Sequence, residues 1–252
     1  MILEAVNVSC RYGGFTAVDN VSLALESAEI LGIAGTNGAG KSTLFAAIAG
    51  QQSASAGRIV FDGQDVTQLA PYQRAQRGLV RTFQVPREFK SLTVHENLMT
   101  AGRNPEGEQL FSALIGTPAR RRRERELSDQ ADGILEFLNL VRVRDVFARN
   151  LSGGQKKLVE LGRVLMRDPR CILLDEPFAG VNPVLIDEIC SHVLALNARG
   201  IAFIVIEHHL QALKALASRL IVMDRGIVLA QGDPHKVLDD PQVQEAYMGG
   251  IA

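Results

Sequence analysis

From Ile2 to Glu29 apolar and polar positions alternate, in LEAVNVSCRY and again in VDNVSLAL, with Gly13 and Gly14 between the two runs. A period of two buries one face of a strand, so the segment predicts antiparallel strands. The pattern then changes. Ile30 to Ala34 (ILGIA) is apolar throughout and predicts a buried strand, and Leu44 to Ala49 (LFAAIA) predicts the opening of a helix. Gly57 to Asp62 (GRIVFD) reads as a further strand closed by an Asp62-Gly63 turn. A polar helical piece follows with Pro71 near its start, and Leu79 to Gln84 (LVRTFQ) is a short strand ending in a glutamine. Between Val85 and about Asn150 the composition shifts to scattered prolines and glycines, a charged run and the amphipathic LEFLNLVRV, which predicts a largely helical insertion with its own small core. After it come a helix in KKLVELGRVLMRD, a buried strand from Cys171 to Leu174 (CILL) and a helix from Leu185 to Asn197. The strand IAFIVI, a hairpin around Asp224 to Gly226 and a helical tail complete the chain.

Composition narrows the classes this pattern can serve. With 252 residues, 46% hydrophobic and 22% charged, the chain can bury a sizeable core and is not a disordered one. A net charge of -1 lacks the footprint of a general nucleic-acid binder, so no nucleic-acid partner is expected. No apolar run is long enough to span a bilayer, and the amino terminus lacks the basic start and apolar core of a signal peptide, so the chain is expected to stay in the cytosol. Cys10, Cys171 and Cys190 have no metal-ligand spacing and are expected to be buried or half-buried thiols. Arg120 to Arg123, followed by Glu124, Arg125 and Glu126, could meet a nucleic acid or lipid headgroups. Mixed signs at helical spacing nevertheless favour a solvated helix with intrahelical pairs.

Chemistry concentrates at a few points. GTNGAGKST, Gly35 to Thr43, fits the phosphate-loop pattern G-x-x-x-x-G-K-[ST] and lies between a predicted strand and a predicted helix, the setting that motif needs. Small residues at Gly35, Gly38, Ala39 and Gly40 let backbone amides converge on phosphate oxygens, Lys41 can reach the terminal phosphates, and Ser42 can ligate magnesium. The bland alternative is a glycine turn between a core strand and a helix. Asp175 and Glu176 end an apolar strand, where two adjacent carboxylates are costly as packing and useful beside a metal ion and a reactive water. In LSGGQ, Ser152 is a natural helix cap, and Gly153 and Gly154 leave their amides open to an anion; an ordinary capped helix start is the alternative. Taken singly, Tyr12 is more commonly strand-end packing than a base-stacking ring, Gln84 a solvated side chain, and His208 a surface residue.

Together these motifs, in this order and spacing over nearly the full length, resemble the ATP-binding subunits of ABC transporters. The resemblance implies an α/β fold: a P-loop NTPase (RecA-like) core with an antiparallel β subdomain over residues 1–84 and 157–252, and a helical subdomain carrying the signature motif over 85–156. It assigns Tyr12 to adenine stacking and Gly35, Asn37, Gly38, Gly40, Lys41, Ser42 and Thr43 to ATP. Ser152, Gly153, Gly154 and Gln155 would reach the nucleotide of a second subunit. Ser42, Gln84 and Asp175 would hold Mg2+, Asp175 through water, while Glu176 polarises the attacking water with Lys41, Gln84 and His208 as further catalytic residues. A narrower resemblance, to the first of the two paired ATPase subunits of branched-chain amino-acid transporters, rests on RTFQVPREFKSLTVHENL, AGVNP, IEHHL and the tail GDPHKVLDDPQVQEAYMGG. His209 departs from the Asp usual there, and Val181 from the usual Leu. Urea or amide uptake and lipopolysaccharide export stand beside amino-acid uptake as cargo, and an ATP-dependent assembly switch without turnover is a further alternative. The implied partners are a second ABC ATPase subunit, identical or paralogous, transmembrane permease subunits and, indirectly, a solute-binding protein, with the chain peripheral on the inner face of the cell membrane.

Overall fold

A computed structural model describes residues 1–82, 88–102 and 118–249, with backbone alone for 118–120, 248 and 249. Two compact units divide the chain, one formed by Met1–Gln84 with Arg170–Ala252 and the other by Val85–Pro169. The sequence predicts a return to the core at residue 157, whereas the helix that starts in LSGGQ falls within the second unit, which runs to Pro169.

In the first unit, the alternating segments form β1 (Leu3–Tyr12) and β2 (Phe15–Leu25), an antiparallel hairpin. With β4 (Ala56–Phe61) and β5 (Gln64–Asp65) they make a four-stranded antiparallel sheet in the order β2-β1-β4-β5. The apolar runs form the second sheet: β3 (Ile30–Gly35), β6 (Leu79–Arg81), β7 (Cys171–Asp175), β8 (Ala202–Ile206), β9 (Arg219–Asp224) and β10 (Ile227–Gly232), ordered β10-β9-β3-β8-β7-β6. Its strands are parallel except for the β9-β10 hairpin. Every residue of β3, β7 and β8 is buried, as their unbroken apolar sequence requires. Helix α1 (Lys41–Ile48) contributes Leu44, Phe45, Ala47 and Ile48 to one core shared by both sheets. The short α2 (Pro71–Gln76) sends Arg74, 2% exposed, into that region.

In the second unit, α3 (Val94–Ala101), α4 (Pro118–Phe137) and α5 (Gly153–Leu165) pack around Leu98, Ala131, Leu135, Leu138 and Val159. Asn97, fully buried, organises the preceding loop: its Oδ1 accepts the Phe89 amide at 2.8 Å and its Nδ2 donates to the Thr93 carbonyl at 2.9 Å. The arginine run lies on α4, where Glu126 accepts from Arg122 at 3.1 Å and Arg123 at 3.2 Å, the intrahelical pairing its spacing predicts.

Back in the first unit, α6 (Pro183–Asn197) begins at Asn182, whose side chain accepts the Leu185 amide at 2.9 Å. The sequence reading passes over α7 (Leu210–Leu216), capped by His209 Nδ1 at 3.2 Å from the Ala212 amide. His209 thus supplies the side-chain cap of this helix itself. The tail is helical as expected, in α8 (Pro234–Leu238) and α9 (Pro241–Gly249).

Candidate nucleotide site

β3 ends where a buried strand must hand its chain to the start of α1, and the geometry of that junction decides which residues it tolerates. Gly35 has φ 146°, and a Cβ there would overlap the carbonyl oxygen of Met223 on β9. Gly40, the N-cap of α1, is left-handed at φ 92°, and a Cβ there would overlap the Ala17 carbonyl oxygen on β2. Backbone packing on both sides thus fixes the ends of the loop. Lys41 is 5% exposed and donates from Nζ to the carbonyls of Gly35 at 2.8 Å and Thr36 at 2.9 Å. Burial holds its ammonium below the usual lysine value, with the carboxylates of Glu176 and Asp175 acting in the opposite direction.

The loop forms one wall of a cleft of about 360 Å³. Asn37, Gly38, Gly40, Lys41, Ser42 and Thr43 line it with Tyr12, Phe15, Glu176 and His208. Tyr12 and Phe15 face one another across the β1-β2 turn and expose 49% and 66% of their surfaces. Both residues are therefore open to solvent beside the phosphate loop.

Asp175 and Glu176 reach the site from the end of β7. Asp175 is buried, accepts from Arg81 Nη2 at 2.6 Å and donates its own amide to Thr82 Oγ1 at 3.2 Å. The Arg81 guanidinium lies over the Phe45 ring of α1, 5.8 Å from its centre, so the carboxylate is tied indirectly to the helix that carries Lys41 and Ser42. Glu176 holds φ 48°, a left-handed conformation that costs a non-glycine residue about 1–2 kcal/mol. Its Oε1 lies 3.1 Å from His208 Nε2.

These features fit an ATP phosphate chain and a magnesium ion. The loop already wraps one cation, the Lys41 ammonium. Ser42 presents a hydroxyl in the cleft, and Asp175 is an ionisable group kept beside it. Among the described residues no three His, Cys, Asp or Glu side chains cluster as a metal site, and the oxygen donors near the loop are the Ser42 hydroxyl and the carboxylates of Asp175 and Glu176.

In the helical unit, Ser152 caps α5 by accepting the Gln155 amide at 3.2 Å, and the Gln155 side chain accepts the Ser152 amide at 3.0 Å. That box directs the amides of Gly153 and Gly154 along the start of the helix, and a Cβ at Gly153 would meet open space. Gln84 lies outside the described residues.

Phe15, Arg81, Thr82 and Glu207 were not singled out for a role from the sequence, although Phe15 stood open to recognition as an aromatic at a glycine turn. The tail also hid a contribution: Gln242, Glu245 and Ala246 of α9 line a second cleft of about 610 Å³ with Thr36 to Ala39 of the phosphate loop.

Comparison with known proteins agrees with this geometry. The ABC transporter family model matches residues 18–179, and that of the branched-chain amino acid ATP-binding cassette transporters matches 228–252. The chain is 42% identical over 255 residues to a probable branched-chain amino acid transport ATP-binding protein LivG of Methanocaldococcus jannaschii, covering 98% of this chain and 97% of that one. It is 36% identical over 248 residues to the lipopolysaccharide export system ATP-binding protein LptB of Haemophilus influenzae, covering 98% and 97%. Among solved structures it is similar to MJ1267, an ATP-binding cassette of an ABC transporter in its ADP conformation, with TM-score 0.87, 42% identity and 98% of each chain covered. Matched over most of its length by the family model and nearly end to end by these relatives, the chain belongs to the ATP-binding cassette family of ABC transporter proteins.

Proposed function

We propose that the chain is the ATP-hydrolysing subunit of a transporter that takes up branched-chain or other amino acids through separate membrane subunits. The observation that carries this reading is that one cleft is lined by Lys41, Ser42, Glu176 and His208 together with Tyr12 and Phe15. In it, Tyr12 and Phe15 hold the base, and the amides of the phosphate loop with Lys41 hold the phosphates. Ser42 and Asp175 would hold a magnesium ion, which would offset charge on the phosphate oxygens. Glu176 accepts a hydrogen bond from the water that attacks the terminal phosphorus, and His208, in contact with Glu176 at 3.1 Å, serves the terminal phosphate. Lys41 exchanges its two loop carbonyls for phosphate oxygens.

Ser152 to Gln155 belong to a different compact unit and serve, in this reading, the nucleotide of a second ATPase subunit, identical or paralogous. The pair works on the inner face of the cell membrane, held there by permease subunits that are other chains. The match of residues 228–252 to the branched-chain amino acid family favours amino acids over lipopolysaccharide as cargo. Affinity purification of the Glu176→Gln variant from its native membrane, with ATP present, tests the assignment. Recovery of an amino-acid permease and loss of labelled leucine uptake on deletion support it; recovery of lipopolysaccharide-export subunits with intact uptake overturns the cargo.

A further inference from the structure

Glu207 follows β8 and is 3% exposed. A buried carboxylate is costly unless its charge is met, and among the described residues no cation pairs with this one. Backbone amides satisfy it instead. Oε1 accepts the Phe178 amide at 2.7 Å, while Oε2 accepts the amides of His208 at 2.9 Å and His209 at 3.2 Å. The division matters: Phe178 belongs to the turn that carries Glu176, and His208 and His209 form the turn after β8. One oxygen of a single carboxylate therefore serves each turn. The same two segments also meet where the Glu176 amide donates to the Ile206 carbonyl at 3.0 Å. Glu176 needs such bracing, because its backbone is held at φ 48°.

Resting on the reading of Glu176 and His208 as the hydrolytic pair, we infer that Glu207 is a positioning residue for ATP hydrolysis, a brace that sets Glu176 and His208 at contact distance. Charge and shape are both required. A glutamine would keep one accepting oxygen, but its NH2 would face the amide of the other turn, donor against donor. An aspartate keeps the charge but is one methylene short of spanning both turns. Misplacing a catalytic group by about 1 Å costs on the order of a hundredfold in rate.

The test compares wild type, Glu207→Gln and Glu207→Asp, each alone and with His208→Ala. In Glu207→Gln the turnover number falls by about 10- to 100-fold, while affinity for a fluorescent ATP analogue stays within about twofold, because the phosphate loop is untouched. In the His208→Ala background the same change costs several-fold less than in wild type, the difference being the share of the effect that passes through the contact with that side chain and the remainder the displacement of Glu176. The imidazole NMR resonance of His208 in Glu207→Gln moves toward its position in Glu176→Gln, both changes breaking one contact. Nucleotide affinity falling in step with turnover, an equal loss in both backgrounds, or an unmoved His208 resonance overturns the inference. Should Glu207→Gln fail to fold, Glu207→Asp carries the same comparison. Absence of phosphate release by the wild type would count against the hydrolytic reading itself, and the His208 resonance would still decide the brace.

Discussion

Replacing Arg74 by methionine removes the one buried cation that finishes helix α1. Its guanidinium donates to Ala47 O at 2.7 Å, Ile48 O at 2.6 Å, Thr67 O at 2.8 Å and Leu69 O at 3.0 Å. Two of these carbonyls belong to the last turn of α1, the negative end of the helix whose first turn carries Lys41 and Ser42. Burial pulls the guanidinium down to about 10, so it remains charged at neutral pH. In the variant, Ala47 O keeps the Gly50 amide at 3.1 Å. The other three lose a charged donor, at about 1–2 kcal/mol each, and relief from burying a charge returns about 1 kcal/mol, leaving a net loss of about 2–5 kcal/mol. A chain of this size loses about 2–4 °C per kcal/mol, so Tm should fall by about 4–20 °C. Arg74→Lys should recover little of it, because a single ammonium cannot reach all four acceptors. Urea denaturation and thermal melting with and without nucleotide provide the measurement. A loss under 1 kcal/mol, or full recovery by lysine, would refute the assignment of Arg74 as the clamp on α1.

Two further changes test other parts of the molecule. Gly35→Ala forces a Cβ into the Met223 carbonyl at φ 146°, and it should cost about 2–3 kcal/mol and weaken nucleotide binding, read by melting and by titration with a fluorescent analogue. In the helical unit, hydrogen bonds from Arg144 hold the Asp132 carboxyl below its usual value. A lowered folded value means the carboxylate's contribution is fully present above the ordinary carboxylate range and is lost as pH falls through the folded value. Asp132→Asn should therefore melt lower than wild type at neutral pH, with the two curves converging below about pH 4; curves that stay parallel would contradict the pairing.

How legible the molecule was from its sequence depends on where each partner lies. The strands over Ile30 to Ala34 and Cys171 to Leu174 could be read because a strand buried on both faces is apolar throughout, and each runs one residue further in the structure. Lys41 and Ser42 could be picked out as candidates because their places in a glycine-rich loop after a strand form a pattern, and Asp175 and Glu176 because two adjacent carboxylates end an apolar run. Arg74, Arg81 and Glu207 were not. Arg74 and Glu207 are satisfied by main-chain carbonyls or amides of distant segments, which leave no mark on residue type, and Arg81 meets Asp175 only through the pairing of β6 with β7. Helix α7 escaped notice because it is short and begins on a histidine rather than a familiar cap. The boundary near 157 fell short because LSGGQ looks like a return to core motifs, whereas its helix buries Leu158, Val159 and Leu161 with the insertion.

The central claim, that this cleft hydrolyses ATP with Glu176 acting on the water, is tested most directly by steady-state phosphate release in magnesium and ATP from wild type and Glu176→Gln, with nucleotide affinity measured on the same samples. Wild type should turn over, and the variant should bind ATP at least as tightly while releasing phosphate on the order of a hundredfold more slowly. Equal release from the two proteins would contradict it.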